Sequence, residues 1–113
     1  MTRETRAMPG SISYESYLRK ALKDPREALA YLNATINDAD PRVFPLALRN
    51  VIAARGGVAK IARKCNLSRN GTYRILSKNG NLSIQNLGRL LSSMGFRLAV
   101  ENKEAVRRSR NRQ

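Results

Sequence analysis

Histidine and tryptophan are absent from the 113 residues, and cysteine occurs once, at Cys65. A single cysteine cannot form an internal disulfide, and without histidine or a Cys-x-x-Cys pair the usual ligands of a zinc site are missing. Aromatic residues make up only 5% of the chain, so its core must be built mainly from Leu, Ile, Val and Ala. We expect no bound metal and no cofactor.

Long apolar runs are also missing, at the N-terminus and elsewhere. We therefore expect neither a signal peptide nor a membrane span, and we expect a cytoplasmic protein. General acid–base catalysis has few candidates, because it draws mostly on histidine and carboxylates, and residues 42–113 hold only Glu101 and Glu104. The prediction is a protein that is not an enzyme.

Positive charge is abundant and unevenly placed. Residues 1–41 hold six basic and six acidic residues, whereas residues 42–113 hold sixteen basic residues and two acidic ones. The second part therefore carries the whole net charge of +14, which suits a polyanionic partner through phosphate neutralisation. A membrane surface is the competing anion. However, the basic residues do not lie opposite one wide apolar stripe on a single long helix, as an interfacial anchor requires.

Residues 58–78, V-A-K-I-A-R-K-C-N-L-S-R-N-G-T-Y-R-I-L-S-K, have the pattern of two short helices joined by a tight turn. Asn66 tolerates the left-handed conformation that ends a helix sharply, and Ser68 is a good N-cap for the second helix. The small Ala62 lets the two helices approach closely. Apolar positions at i, i+3, i+4 and i+7 form the inner face of the first helix: Val58, Ile61, Ala62 and Cys65.

On the second helix Thr72, Ile75 and Leu76 are predicted to face inward. This arrangement is that of a helix-turn-helix, whose second helix lies in the DNA major groove. The same hydrophobic pattern occurs in helical domains that never bind DNA, and the uneven charge favours the DNA-binding alternative. The side chains left on the outer face are Ser68, Arg69, Asn70, Tyr73 and Arg74.

We predict two classes of DNA contact. Arg69 and Arg74 can each offer a planar fork to guanine O6 and N7, and Asn70 can bridge adenine. Contacts to the phosphates would position the protein without specifying sequence. The predicted base-contacting residues are Ser68, Arg69, Asn70, Thr72, Tyr73 and Arg74. The predicted phosphate-contacting residues are Lys60, Arg63, Lys64 and Lys78.

The rest of the chain divides at its helix-start and helix-stop signals. Residues 1–12 lack any period and are predicted to be a disordered arm, with a minor-groove arm as the alternative. Residues 13–39 are predicted to form a helical extension with two helices, capped by Ser13 and Asp24. The inner positions of those helices are Tyr14, Tyr17, Leu18, Ala21 and Leu22, then Ala28, Leu29, Leu32 and Ile36.

Residues 40–101 form the helix-turn-helix domain. Its first helix is predicted to start with Asp40 as cap and Pro41 as first residue, and to end at Gly56-Gly57. The inward face of that helix consists of Phe44, Leu48, Val51 and Ile52. A last helix is capped by Ser83 and ends at Gly95, with an inward face of Ile84, Leu87, Leu90, Leu91 and Met94.

Phe96, Leu98 and Val100 alternate with other residues, which predicts a short strand. A lone strand needs a partner, and no other stretch resembles one, so we predict pairing with the same strand of a second copy. The alternative is an extended tail that packs on the helices. Residues 102–113 are predicted to be a basic, disordered tail that adds non-specific affinity for nucleic acid.

Several pieces of the sequence resemble the small HigA-like addiction module antidote proteins, within the Xre/Cro-repressor helix-turn-helix group. They are G-G-V-A-K-I-A, N-L-S-R-N-G-T-Y-R-I-L-S, G-N-L-S-I-Q-N-L and L-L-S-S-M-G-F-R-L, and the likeness covers about residues 13–101. The resemblance implies a mainly α, lambda-repressor/Cro-like bundle. It also implies an antitoxin that neutralises a RelE/ParE-like toxin and represses its own operon as a homodimer. Members usually carry a larger residue or a glutamate in place of Asn70, Gly71 and Thr72.

The functional expectation is thus a sequence-specific repressor of double-stranded DNA that binds an inverted repeat. Tyr14, Tyr17 and Tyr31 could form a toxin-binding surface or pack on the domain, and we favour packing. A stand-alone Xre-type regulator without a toxin is the alternative. An RNA-binding protein is a weaker one, because such proteins usually present aromatic stacking platforms or a sheet surface.

Overall fold

The structure is a computed structural model that describes residues 13–77 and 80–104. These residues form a mainly helical domain in which α1, α2 and α4 pack on α3, and α4 also packs on α5 and α6. The helices are α1 (Tyr14–Ala21), α2 (Pro25–Ile36), α3 (Val43–Ala54), α4 (Val58–Lys64), α5 (Arg69–Ile75) and α6 (Ile84–Ser93). None of the helices in the described part of the chain combines the length and apolar composition that a membrane span requires.

Four helices begin at the predicted caps. The side chains of Ser13, Asp24, Ser68 and Ser83 each accept a hydrogen bond from a backbone N–H in the first turn that follows. Each such bond satisfies a donor that has no partner within the helix. The predicted starts of α1, α2, α5 and α6 are therefore confirmed together with their cause.

The predicted start of α3 is wrong by two residues. Asp40 and Pro41 lie in a turn before the helix, closed by a 3.1 Å bond from the Val43 amide to the Asp40 carbonyl. The Asp40 carboxylate instead accepts bonds from the backbone and the guanidinium of Arg42, at 2.8–3.0 Å. These hydrogen bonds from Arg42 lower the pKa of Asp40 to about 2.

Three helices end in the same way, at residues with positive φ. Gly56, Asn66 and Gly95 have φ values of 129°, 59° and 89°. In each case the amide of the following residue bonds back to a carbonyl five residues earlier, at 2.8–2.9 Å, as in a Schellman motif. The sequence predicted all three ends.

The core lies between α3 and the surrounding helices. Leu48, Val51 and Ile52 of α3 are completely buried, as is Leu90 of α6. The other buried members are Leu22, Ala28, Leu32, Ala54, Ile61, Cys65, Leu76, Leu87, Leu91 and Met94. Cys65 is buried as predicted, and its thiol donates to the Arg89 carbonyl at 3.3 Å.

Some predicted inner positions are exposed. Ile84 is 78% exposed at the first position of α6, and the buried residues of that helix begin only at Leu87. Leu29 and Ile36 lie on the outer side of α2, whose buried residues are Ala28 and Leu32. The apolar stripe of α2 is thus wider than the surface that α3 covers.

The predicted C-terminal strand is absent from the structure. Residues 96–102 have no regular hydrogen-bonded structure, and no strand occurs anywhere in residues 13–77 or 80–104. A strand is defined by its bonds to a neighbouring strand, and the single chain offers none in this part. Phe96 packs against the core, whereas Leu98 is partly exposed and Val100 is fully exposed.

Arg55, at the end of α3, joins three separate segments. Its guanidinium donates to the Lys23 carbonyl after α1 and to the Met94 carbonyl after α6, at 3.2 and 3.3 Å. It also lies 5.4 Å from the centre of the Phe96 ring. This side chain therefore ties the N-terminal extension and the C-terminal segment to the middle of the domain.

Candidate nucleic-acid interface

Helices α4 and α5 form the predicted helix-turn-helix. The chain leaves α4 through Asn66, and the Leu67 amide bonds to the Ala62 carbonyl at 2.9 Å, which closes the turn. Ile61 and Ala62 are each only 1% exposed, so the small side chain of Ala62 lies on the inner face of α4, as predicted. The turn and its packing fix the orientation of α5 relative to α4.

The outer face of α5 carries the predicted polar and aromatic side chains. Ser68, Arg69, Asn70, Tyr73 and Arg74 are all exposed. These side chains point outward because the opposite face of α5 packs on the domain, where Leu76 is buried and Ile75 is half-buried. The prediction of which α5 residues face outward is confirmed.

Thr72 has to be removed from the predicted DNA-contacting set. It is completely buried, and its hydroxyl donates to the Ser68 carbonyl at 2.8 Å within the helix. The prediction from periodicity that Thr72 faces inward is confirmed. The prediction that Thr72 contacts a base is wrong, because an inward-facing side chain cannot reach the DNA. A buried hydroxyl already bonded to the backbone has no access to a base edge.

Ser68 has a structural task besides any contact with DNA. Its hydroxyl oxygen accepts a 2.9 Å bond from the Gly71 amide, which caps α5. A Cβ atom at position 71 would lie 2.7 Å from that oxygen. Glycine therefore fits the capped turn, even though it is a poor helix former.

Lysine and arginine are also exposed on α4, the helix that packs on α5. They are Lys60, Arg63 and Lys64. Lys78, the fourth predicted phosphate contact, lies outside the described residues, as do Arg3 and Arg6 of the predicted arm.

Neighbouring carboxylates do not neutralise this charge within the described residues. The ion pairs found there, Arg26–Asp24 and Arg42–Asp40, lie outside α4 and α5. A face with several cations and no carboxylate partner attracts a polyanion.

The three predicted strand residues differ in exposure. Phe96 is half-buried beneath Arg55, which agrees with the alternative of a tail that packs on the helices. Leu98 is 38% exposed and Val100 is fully exposed, so the packing ends before Val100. The apolar side chains beyond Phe96 remain available to another surface.

The tyrosines of the N-terminal extension also divide. Tyr31 packs on the core, and its hydroxyl accepts a 3.0 Å bond from the Asn50 side-chain amide, as the packing alternative expects. Tyr14 and Tyr17 are 68% and 63% exposed on α1. The prediction that Tyr14 and Tyr17 lie on the inner face of α1 is therefore wrong, and Tyr31, which was not among the predicted inner positions of α2, is the tyrosine that packs on the core.

The comparisons with known proteins gave one finding. The model of a family described as "Probable addiction module antidote protein" matches residues 14–102. No curated protein and no solved structure matches the chain. The matched residues run from the start of α1 past the segment that follows α6, and so include the entire helix-turn-helix. The chain therefore belongs to the family of probable addiction module antidote proteins.

Proposed function

We propose that this protein is the antitoxin of a type II toxin-antitoxin module, and that it represses its own operon by sequence-specific binding to double-stranded DNA. The observation that carries the proposal is the outer face of α5, where arginine, asparagine and tyrosine side chains are exposed on a capped helix. Such a helix fits the major groove, and arginine and asparagine there pair with guanine and adenine edges. Membership of the antidote family supports the antitoxin role.

The charge distribution supports the DNA-binding part. Lys60, Arg63 and Lys64 are exposed on α4, which packs on the proposed recognition helix, and they would hold the phosphates. Phosphate contacts release counterions, so affinity should fall with salt at a log–log slope of roughly −0.9 per phosphate neutralised.

The proposal includes a homodimer, in which segment 96–100 pairs with the same segment of a second copy. The exposure of apolar side chains in this segment supports it, because Leu98 is 38% exposed and Val100 is fully exposed. Two copies would present two α5 helices, which suits an inverted repeat with half-sites one helical turn apart.

The antitoxin role requires a surface for a toxin, which we propose to be RelE/ParE-like. Tyr14 and Tyr17 on α1 are candidates, since both rings are largely exposed and lie on the helix that buries no residue of its own. We further propose that the protein is cytoplasmic and acts by binding rather than by catalysis. The alternative is an Xre-type regulator that works without a toxin.

A gel-shift titration tests the DNA-binding part. The DNA is the duplex upstream of the protein's own gene, with a scrambled duplex as competitor and salt varied. We expect a complex that survives the competitor and a footprint on an inverted repeat. Equal binding to both duplexes would mean that the basic residues bind any DNA and that α5 does not recognise a sequence.

A co-purification tests the antitoxin part separately. The protein is co-expressed with the product of the adjacent gene, and Tyr14→Ser/Tyr17→Ser is compared with the unchanged chain. We expect a stable complex that the double substitution weakens while DNA binding persists. Failure of the two proteins to associate, together with specific DNA binding, would favour the stand-alone regulator.

A further inference from the structure

Arg69 and Tyr73 lie one helical turn apart on the outer face of α5. The Arg69 Cζ atom is 5.8 Å from the centre of the Tyr73 ring, within the range of a cation–π contact. Helical side chains lean toward the N-terminus, which brings Tyr73 back toward the residue four positions earlier. The spacing of four residues therefore explains the contact between the two side chains.

A guanidinium that lies over a ring keeps its hydrogen-bonding capacity. A guanidinium that stacks on a ring does so through its flat face, whereas its N–H donors point outward in the plane. The bidentate contact with guanine O6 and N7 uses that in-plane edge. Tyr73 can thus hold Arg69 without occupying the atoms that a base would bind.

Arg74 offers an internal comparison on the same helix. It is also exposed, but among the described residues the cation–π contacts involve only Arg55 and Arg69. A long flexible side chain without such support loses conformational freedom when it binds. The two outward arginines therefore differ in how far they are ordered before DNA arrives.

We propose that Tyr73 is a positioning residue that holds the Arg69 guanidinium ready for one guanine of the DNA site, and that Tyr73 itself makes no essential DNA contact. The inference rests on the proposed DNA-binding function and adds a specificity-determining pair to it. It replaces the prediction that Tyr73 is itself one of the base-contacting residues.

The experiment uses the full chain and the preferred duplex recovered from a randomised duplex library. Each guanine is then replaced in turn by 7-deazaguanine, which lacks the N7 acceptor. Arg69→Lys keeps the charge but loses the fork, so the guanine whose replacement no longer matters in that variant is the one that Arg69 contacts. Affinities are measured by fluorescence anisotropy at fixed salt.

The test measures the affinities of Tyr73→Phe and Tyr73→Leu for two duplexes, the unmodified one and the one with 7-deazaguanine at the position that Arg69 contacts. Tyr73→Phe keeps the ring and should bind like the unchanged chain. Tyr73→Leu should lose about two- to fivefold in affinity for the unmodified duplex and nothing for the duplex with 7-deazaguanine at the Arg69 position. Leu29→Ala, at an exposed residue of α2 with no part in the proposed DNA or toxin surfaces, is the control and should change neither affinity.

Three results would overturn the proposal. Equal losses in Tyr73→Phe and Tyr73→Leu would mean that the hydroxyl group contacts DNA. A loss in Tyr73→Leu that is the same on both duplexes, with a lowered melting temperature, would mean a structural role only. No loss in Tyr73→Leu would mean that the ring does not position Arg69. A library that yields no preferred sequence is a fourth, distinguishable outcome, which refutes the proposed function and the inference with it.

Discussion

Gly71 and Ser68 should be energetically coupled, because the N-cap of α5 leaves little room at position 71. Replacing an interior helical glycine by alanine usually stabilises a helix by about 1 kcal/mol. Here the new Cβ would lie 2.7 Å from the Ser68 hydroxyl oxygen, which accepts the Gly71 amide at 2.9 Å. The oxygen would have to move and weaken a cap that is typically worth about 1 kcal/mol.

We therefore expect Gly71→Ala to change the free energy of unfolding by less than about 0.5 kcal/mol, since the two effects offset each other. In the Ser68→Ala background the oxygen is gone, and the same substitution should stabilise by the full amount of about 1 kcal/mol. Urea unfolding of the four proteins in a double-mutant cycle measures the difference. A gain of about 1 kcal/mol in both backgrounds would refute the steric argument.

Three further predictions concern the domain around this helix. Asn66→Ala should lower the free energy of unfolding by about 1 kcal/mol while Asn66→Gly should not, because φ at this position is 59°, and urea unfolding compares them. Arg55→Met should lower the free energy of unfolding by about 2 kcal/mol in the same assay, because it removes two hydrogen bonds from a charged donor. Part of that loss is offset, because the substitution also removes a buried Nε that has no hydrogen-bond partner among the described residues. NMR titration should give Asp40 a pKa near 2, which Arg42→Ala should raise toward 3.8. Because the folded pKa is depressed, the contribution of Asp40 to stability is present above pH 4 and should be lost as the pH falls toward 2, so Asp40→Asn should flatten that part of an acid-unfolding curve.

Local signals made much of the fold predictable. The capping serines and Asp24 mark helix starts, and glycine or asparagine marks the ends, because these residues satisfy backbone groups or adopt positive φ. The period of 3.6 residues predicts the outward set on α5, because it places Thr72, Ile75 and Leu76 on the inner face. These features depend on a few neighbouring residues, so a single sequence contains them.

Features that depend on distant parts of the chain were not predictable. Arg55 meets carbonyls that lie 32 and 39 residues away in sequence, and no local pattern indicates such a contact. The exposure of Ile84, Leu29 and Ile36 depends on how far the neighbouring helices extend, which periodicity does not reveal. Alternation in residues 96–100 predicted a strand, but pairing requires a second strand, which this chain does not supply in its described residues.

We propose that the outer face of α5 distinguishes one DNA sequence from another. The most direct measurement is the ratio of affinities for the site upstream of the gene and for a scrambled duplex, at one salt concentration, for the unchanged chain, Arg74→Ala and Arg63→Ala. We predict a ratio of about 1,000 or more, which Arg74→Ala lowers by tenfold or more. Arg63→Ala, the matched change on α4, should weaken both duplexes alike and leave the ratio intact. A ratio near one for the unchanged chain, or equal effects of the two substitutions, would mean that the outer face of α5 does not distinguish DNA sequences.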